Sequence, residues 1–131
     1  MGSLLMIKRI ALAGVWVSNQ DIAREFYVEK LGFEVQMDTI MGNGYRWLEV
    51  VPPDADTALT LAKPYLGQKD APIGVFANVV LSCDDIRSTC KELKSKGVKF
   101  IEEPNIQDWG MMQALFEDPD GNVFVLVERE D

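Results

Sequence analysis

The most informative feature of this 131-residue sequence is an absence, because it contains no histidine. Histidine is the side chain most often used as a general base near neutral pH, and it is the commonest protein ligand of transition metals. A histidine-dependent catalytic triad and a zinc site of the usual kind are therefore excluded. Cysteine is scarce as well. Cys83 and Cys90 leave a disulfide or a two-cysteine metal clip open, but we interpret them as two buried, inert thiols, which suits a reducing cytoplasm.

Long apolar runs and positive charge are also missing. The longest apolar stretch, residues 10–17, is too short to cross a bilayer, and no cleavable leader is recognisable. We therefore expect a cytoplasmic protein with no membrane partner. The 13 basic and 21 acidic residues give a net charge of -8. This charge repels phosphate backbones, so we expect no nucleic-acid partner, whereas it attracts a cationic ligand. We interpret residues 1–5 as added or disordered residues that lie outside the domain.

The pattern of apolar residues, caps and turns occurs twice along the chain. Asn19 is placed to cap a first helix, and Gly32 and Gly97 are placed to end the first and second helices by adopting positive φ. The pattern predicts an α+β fold in one domain, residues 6–131, built from two βαβββ modules over residues 6–63 and 73–128. The predicted strands are 6–17, 33–38, 45–51, 57–62, 73–81, 98–101, 110–117 and 122–128, and the predicted helices are 20–30 and 86–96. Neither module has enough strands to cover both faces of its sheet alone.

Two motifs carry a resemblance to a known family. The first is Val17-x-Asn19-x-Asp21-x-Ala23-x-x-Phe26-Tyr27-x-x-x-Leu31-Gly32-Phe33, and the second is Asp118-Pro119-Asp120-Gly121-Asn122-Val123-Phe124. Together with the repeat, they resemble the vicinal oxygen chelate superfamily, which includes glyoxalases, bleomycin-resistance proteins and dioxygenases. The resemblance implies that each module curls a mixed sheet into half a barrel and that two modules enclose a cavity. It also implies that catalytic members hold a divalent metal with four inward-facing side chains.

The four metal-ligand positions implied by this resemblance carry unsuitable side chains. They fall on Leu12, Asn78, Val125 and Thr60, with a one-residue alternative at Leu59 for the last. Two aliphatic side chains, one amide and one hydroxyl are too weak to hold a catalytic divalent ion. We therefore expect neither a metal site nor a cofactor.

Strand alternation predicts the rest of the cavity wall. It places Tyr45, Trp47 and Glu49 on one face, whereas a register shifted by one residue would turn Arg46 and Leu48 inward instead. The hairpin pairs Leu115 with Val125, so that Gln113 shares their face. We interpret Trp16 as a packing residue and Trp109 as a loop residue. Glu49 is the best catalytic candidate, and the predicted ligand-binding cavity comprises Leu12, Trp47, Glu49, Thr60, Asn78, Gln113 and Val125.

Three functional hypotheses follow from these residues. The first is a metal-independent protein that binds a small aromatic or cationic molecule, as bleomycin-resistance proteins do, and forms a homodimer. The second is an enzyme with a non-standard site, either a glyoxalase-like lyase or isomerase or a dioxygenase-type enzyme. Glu49 and Tyr45 are the remaining acid–base candidates for it, and Glu49 is preferred as the base. The third is a structural or regulatory partner without a small ligand.

Overall fold

The computed structural model describes residues 6–64 and 70–129, so that residues 1–5 and part of the predicted connector at 63–72 lie outside the described residues. The α+β class and the two βαβββ modules are confirmed. In chain order the elements are β1 (Leu12–Trp16), α1 (Gln20–Glu25) continuing as a π-helical segment (Phe26–Lys30), β2 (Glu34–Ile40), β3 (Arg46–Val51), β4 (Ala58–Ala62), β5 (Phe76–Cys83), α2 (Ile86–Ser95), β6 (Lys99–Ile106), β7 (Met112–Glu117) and β8 (Val123–Glu128).

Each module forms one four-stranded mixed sheet. The first sheet has the order β1-β4-β3-β2 and the second the order β5-β8-β7-β6. In each sheet the first strand of the module pairs in parallel with the last, and the remaining pairs are antiparallel. The closing hairpin pairs Leu115 with Val125, as the turn sequence predicts.

Two strands differ most in length from the sequence prediction. The first strand begins at Leu12 rather than Met6, because Leu12 pairs with Ala58 and the partner strand β4 begins there. Conversely, β6 runs on to Ile106, where it pairs with Met112 of β7. Pro104 suggests an earlier end, but β6 is the edge strand of its sheet, where a proline is tolerated, and its pairing with β7 is irregular around this position.

Side-chain caps hold the helices where the sequence places them. The Asn19 side chain accepts a hydrogen bond from the amide of Ile22 at 3.0 Å, and Asp85 caps α2 in the same way through Ser88. Gly32 ends the first helix at φ 80°, as expected. The buried Gln20 amide donates to the backbone carbonyl of Leu61 at 2.8 Å, which fixes the start of α1 against the sheet.

One apolar core joins the two modules on the helix side of their sheets. It contains Val15, Leu48 and Leu61 from the first module and Phe116 and Phe124 from the second. No helix in the part of the chain that the structure describes is long and apolar enough to span a membrane.

A buried polar cluster closes the seam between the modules. The Tyr27 hydroxyl donates to Asp118 at 2.8 Å across the seam. The Asn122 amide nitrogen donates to the same carboxylate and to the backbone carbonyl of Trp16, both at 2.9 Å. Burial and the negative charge of Asp118 raise the pKa of Tyr27, so that its hydroxyl remains a donor. The closing motif of the sequence is therefore a structural clamp.

Candidate functional site

The register of β3 decides which side chains can line a cavity. Leu48 is buried in the core, and the Arg46 guanidinium donates to Asp38 and Asp21. The hydrogen bonds from Arg46 lower the pKa of Asp38 below its ordinary value. The remaining alternate residues, Trp47 and Glu49, lie on the face turned away from the core, here called the open face. The interpretation that turns Arg46 and Leu48 inward is therefore wrong.

The open face of the first sheet holds a cavity of about 580 Å³. This volume lies in the range of small-molecule sites. Aromatic and apolar side chains dominate the wall, and Asn43, Tyr45 and Thr60 are the described lining residues with a hydroxyl or amide side-chain group. The principal lining side chains are Trp16, Met41, Tyr45, Trp47, Thr60 and Ala62.

Small residues and a fixed tyrosine shape this cavity. Gly14 of β1 lies opposite Thr60 of β4, and a Cβ at Gly14 would lie 3.3 Å from the Thr60 hydroxyl. A larger residue at position 14 would therefore crowd the cavity wall. At the other end, the Tyr45 hydroxyl donates to the carbonyl of Lys63 at 2.8 Å, which ties the ring to the end of β4.

Trp16 is the aromatic residue that the sequence interpretation assigned wrongly. It lines the cavity rather than packing in the core. Alternation along β1 contains the signal, because Leu12, Gly14 and Trp16 must share a face. Trp109 is 60% exposed in the turn before β7, as expected for a loop residue.

Glu49 is buried on the open face, with 7% of its surface exposed. Its Oε2 accepts a hydrogen bond from the Trp47 indole at 2.7 Å, and its Oε1 accepts one from the Gln36 amide at 2.7 Å. Both donors are neutral. Within residues 6–64 and 70–129, no lysine or arginine forms an ion pair with Glu49. The carboxylate is thus hydrogen-bonded but has no opposite charge beside it.

The predicted site residues fall into two groups. The structure brings Trp47, Glu49 and Thr60 together, since Glu49 and Thr60 pair across β3 and β4, and Leu12 lies on the same face of β1. The predicted alternative at Leu59 is wrong, because that side chain is buried in the core.

The other three predicted residues belong to the open face of the second sheet. Val125 is buried, Gln113 is half-buried opposite Val127, and Asn78 is exposed at φ 56° within an irregular stretch of β5. None of the three lines the first-sheet cavity, whose described lining comes wholly from residues 14–62.

The second open face also carries a polar group that the sequence did not indicate. The amides of Asn105 and Gln107 donate to the carboxylate of Glu102, at 2.7 and 3.4 Å. Asn105 and Glu102 pair with Gln113 and Leu115. These pairings share a face, so the polar group borders the predicted residue Gln113.

A family comparison assigns this architecture. Residues 7–126 match the family model described as Glyoxalase/Bleomycin resistance protein/Dioxygenase superfamily. The chain belongs to this superfamily. Its relatives include the uncharacterized protein YetH of Bacillus subtilis, 39% identical over 94% of this chain and 100% of YetH.

Solved structures of superfamily members are similar along nearly the whole chain. A member from Sphaerobacter thermophilus is 38% identical, with a TM-score of 0.90, and the match covers 95% of this chain and 100% of that one. TnmS3, an antibiotic-binding protein from Streptomyces sp. CB03234, is 36% identical, with a TM-score of 0.83, and the match covers 97% of this chain and 100% of TnmS3.

The side chains at the implied metal positions do not fit a divalent ion. Leu12 and Val125 have no donor atom, and Thr60 and Asn78 offer only neutral oxygens. Among the residues that the structure describes, no three His, Cys, Asp or Glu side chains are grouped to hold a metal. Glu49 is a single carboxylate beside these positions, and its two oxygens accept hydrogen bonds from Gln36 and Trp47.

Proposed function

We propose that this protein binds and sequesters a small, flat aromatic molecule, preferentially a cationic one, without a metal ion. The observation that carries the proposal is the first-sheet cavity, in which Trp16, Tyr45 and Trp47 surround a space of about 580 Å³. Aromatic walls with few polar groups suit a flat apolar guest. The antibiotic-binding neighbour TnmS3 supports a binding role for the same fold.

The preference for a cation rests on charge. The chain carries a net charge of -8, and Glu49 beside Trp47 has no positive partner among the described residues. A cation over an aromatic face is attracted by the ring, and a nearby buried carboxylate adds to that attraction. A cationic ligand would supply the positive charge that is missing beside Glu49.

The competing hypothesis of a lyase, isomerase or dioxygenase-type enzyme has less support in the geometry. It requires an acid–base group or a metal that reaches the ligand. Glu49, the best candidate for a base, is held by Trp47 and Gln36 and is not part of the cavity lining among the described residues. We therefore prefer sequestration to catalysis.

We also propose that the protein is cytoplasmic and acts as a homodimer. The predicted site residues are divided between two open faces, and Asn78, Gln113 and Val125 are not part of the described cavity lining. Phe76 and Val80 on the second face are 54% and 59% exposed. Apolar side chains exposed on a sheet face indicate an interaction surface, and a second copy would cover it.

The function is tested by calorimetric titration with two tricyclic probes, the cation 9-aminoacridine and the neutral acridone. We expect both to bind and the cation to bind more tightly. Glu49→Gln should weaken the binding of 9-aminoacridine on the order of tenfold, because it removes the negative charge, and should leave the binding of acridone unchanged. The matched control is Glu117→Gln, which removes a charge that is ion-paired with Lys99 outside the cavity.

Two results would contradict this proposal. One is that neither probe binds the wild-type protein. The other is that binding is abolished by EDTA and restored by nickel, zinc, manganese or iron. We expect EDTA to change neither affinity, because Leu12, Thr60, Asn78 and Val125 do not form a metal-ligand set.

A further inference from the structure

A β-bulge delivers an extra side chain to Glu49. Val35 pairs with Val50 and Met37 pairs with Glu49, so Gln36 is an extra residue in β2 without a pairing partner in β3. In a regular strand, successive side chains point to opposite faces of the sheet. A bulge places two residues opposite one and redirects a side chain, and bulges of this kind are frequent beside functional sites. Here the Gln36 amide reaches Oε1 of Glu49 at 2.7 Å.

The other oxygen of Glu49 holds the indole of Trp47. The distance from Nε1 to Oε2 is 2.7 Å, and Trp47 lines the cavity. An indole N–H is a donor only, and a half-buried one needs an acceptor. Without Glu49, the Trp47 ring would lose the contact that selects its present orientation and could turn to another rotamer.

Two hydrogen bonds therefore connect the bulge to the cavity wall through Gln36, Glu49 and Trp47. Gln36 holds Oε1 of Glu49, and Oε2 of Glu49 holds the indole N–H of Trp47. The Trp47 ring lines the cavity. Glu49 itself is not part of the described cavity lining. Glu49 would therefore act on the ligand through Trp47 and not by direct contact.

We propose that Gln36 and Glu49 are positioning residues that orient the Trp47 indole as the recognition wall of the cavity. This role rests on the proposed function, because the wall matters only if a flat ligand lies against it. It deepens that function by separating two contributions of Glu49. The charge selects cations, whereas the acceptor oxygen orients the wall for any flat ligand, charged or neutral.

The two contributions are separated by two substitutions of Glu49. Glu49→Gln removes the charge but keeps an acceptor oxygen for Trp47, and the Gln36 amide can turn to match it. Glu49→Leu keeps a similar volume and removes the acceptor. We expect acridone to bind Glu49→Gln like the wild type and Glu49→Leu roughly tenfold more weakly. Gln36→Leu should cause a smaller loss, because the Trp47 hydrogen bond remains.

A ligand-free measurement reports the positioning directly. The chain has three tryptophans, and their indole N–H signals can be resolved by NMR with ¹⁵N-labelled tryptophan and assigned by Trp→Phe variants. In the wild type and in Glu49→Gln, the Trp47 indole N–H signal should be shifted by its hydrogen-bond acceptor at position 49 and should exchange slowly with solvent. In Glu49→Leu the chemical shift and exchange rate of the Trp47 signal should approach those of the exposed Trp109, which is the internal reference.

Each result decides the proposal. Unchanged acridone affinity and an unchanged Trp47 signal in Glu49→Leu would overturn it. If Glu49→Leu does not fold, Gln36→Leu carries the test, and a wild-type Trp47 exchange rate and acridone affinity in that variant would overturn the proposal. If neither acridine probe binds the wild type, the proposed function fails, while the NMR comparison still decides whether Glu49 orients Trp47.

Discussion

The clamp between the modules should be sensitive to loss of Asn122. This side chain is fully buried and makes four hydrogen bonds. Its oxygen accepts from the amides of Gly74 and Val75 at 2.8 and 3.4 Å, and its nitrogen donates to Asp118 and to the carbonyl of Trp16. Asn122→Ala removes all four, and the shortened side chain cannot replace them.

The expected loss of stability follows from the groups left behind. The Gly74 amide and the Trp16 carbonyl lose a partner in a part-buried region, and each unpaired group costs about 1–3 kcal/mol. Asp118 keeps three of its four donors, the Tyr27 hydroxyl and the amides of Asp120 and Asn122. We therefore expect Asn122→Ala to lower the free energy of unfolding by roughly 3–4 kcal/mol.

Urea denaturation followed by circular dichroism measures this loss, with Tyr27→Phe as the matched comparison. That variant keeps the ring and removes one hydrogen bond to a carboxylate, so it should cost about 1.5–3 kcal/mol at most. Because both side chains contact Asp118, the double variant should be less destabilised than the sum of the two single ones. A loss below about 1 kcal/mol for Asn122→Ala, well short of the unpaired-group cost, would refute the clamp.

Two further predictions concern acid and assembly. The pKa of Asp38 is lowered below its ordinary 3.8 by hydrogen bonds from Arg46, so this carboxylate stabilises the fold above that pH, and the contribution is lost as the pH falls through the folded-state pKa. Asp38→Asn should therefore be less stable than the wild type at neutral pH, and the difference should shrink in acid denaturation below pH 3.8. Light scattering should give twice the chain mass of 14.7 kDa, and Phe76→Asp should shift the mass toward one chain; a wild-type monomer at micromolar concentration would contradict the dimer.

Local signals in the sequence were sufficient for most of the fold. Asn19 caps a helix because its side chain reaches an amide three residues on, and Gly32 ends that helix because glycine accepts positive φ. Alternation along β3 predicted that Trp47 and Glu49 share a face, and Trp47 lines the first-sheet cavity on that face. Each of these features depends on neighbours within a few residues, and a single sequence contains that information.

The features that the sequence did not reveal depend on partners distant in the chain. The start of β1 is set by where β4 begins, 46 residues later, at the pairing of Leu12 with Ala58. The bulge at Gln36 exists only relative to the register of β3. Whether Gln113 and Trp47 face one cavity depends on how the modules pack, and the module repeat alone does not determine it.

The clamp and the cavity meet at the end of β1. Asn122 donates to the carbonyl of Trp16, and the Trp16 side chain lines the cavity on the open face. On the same open face, Glu49 orients Trp47 through a second hydrogen bond. The two tryptophans are thus held by different devices, one from the seam between modules and one from the bulge in β2. A rigid pair of aromatic walls would lose little conformational entropy when the proposed flat ligand enters, which favours affinity.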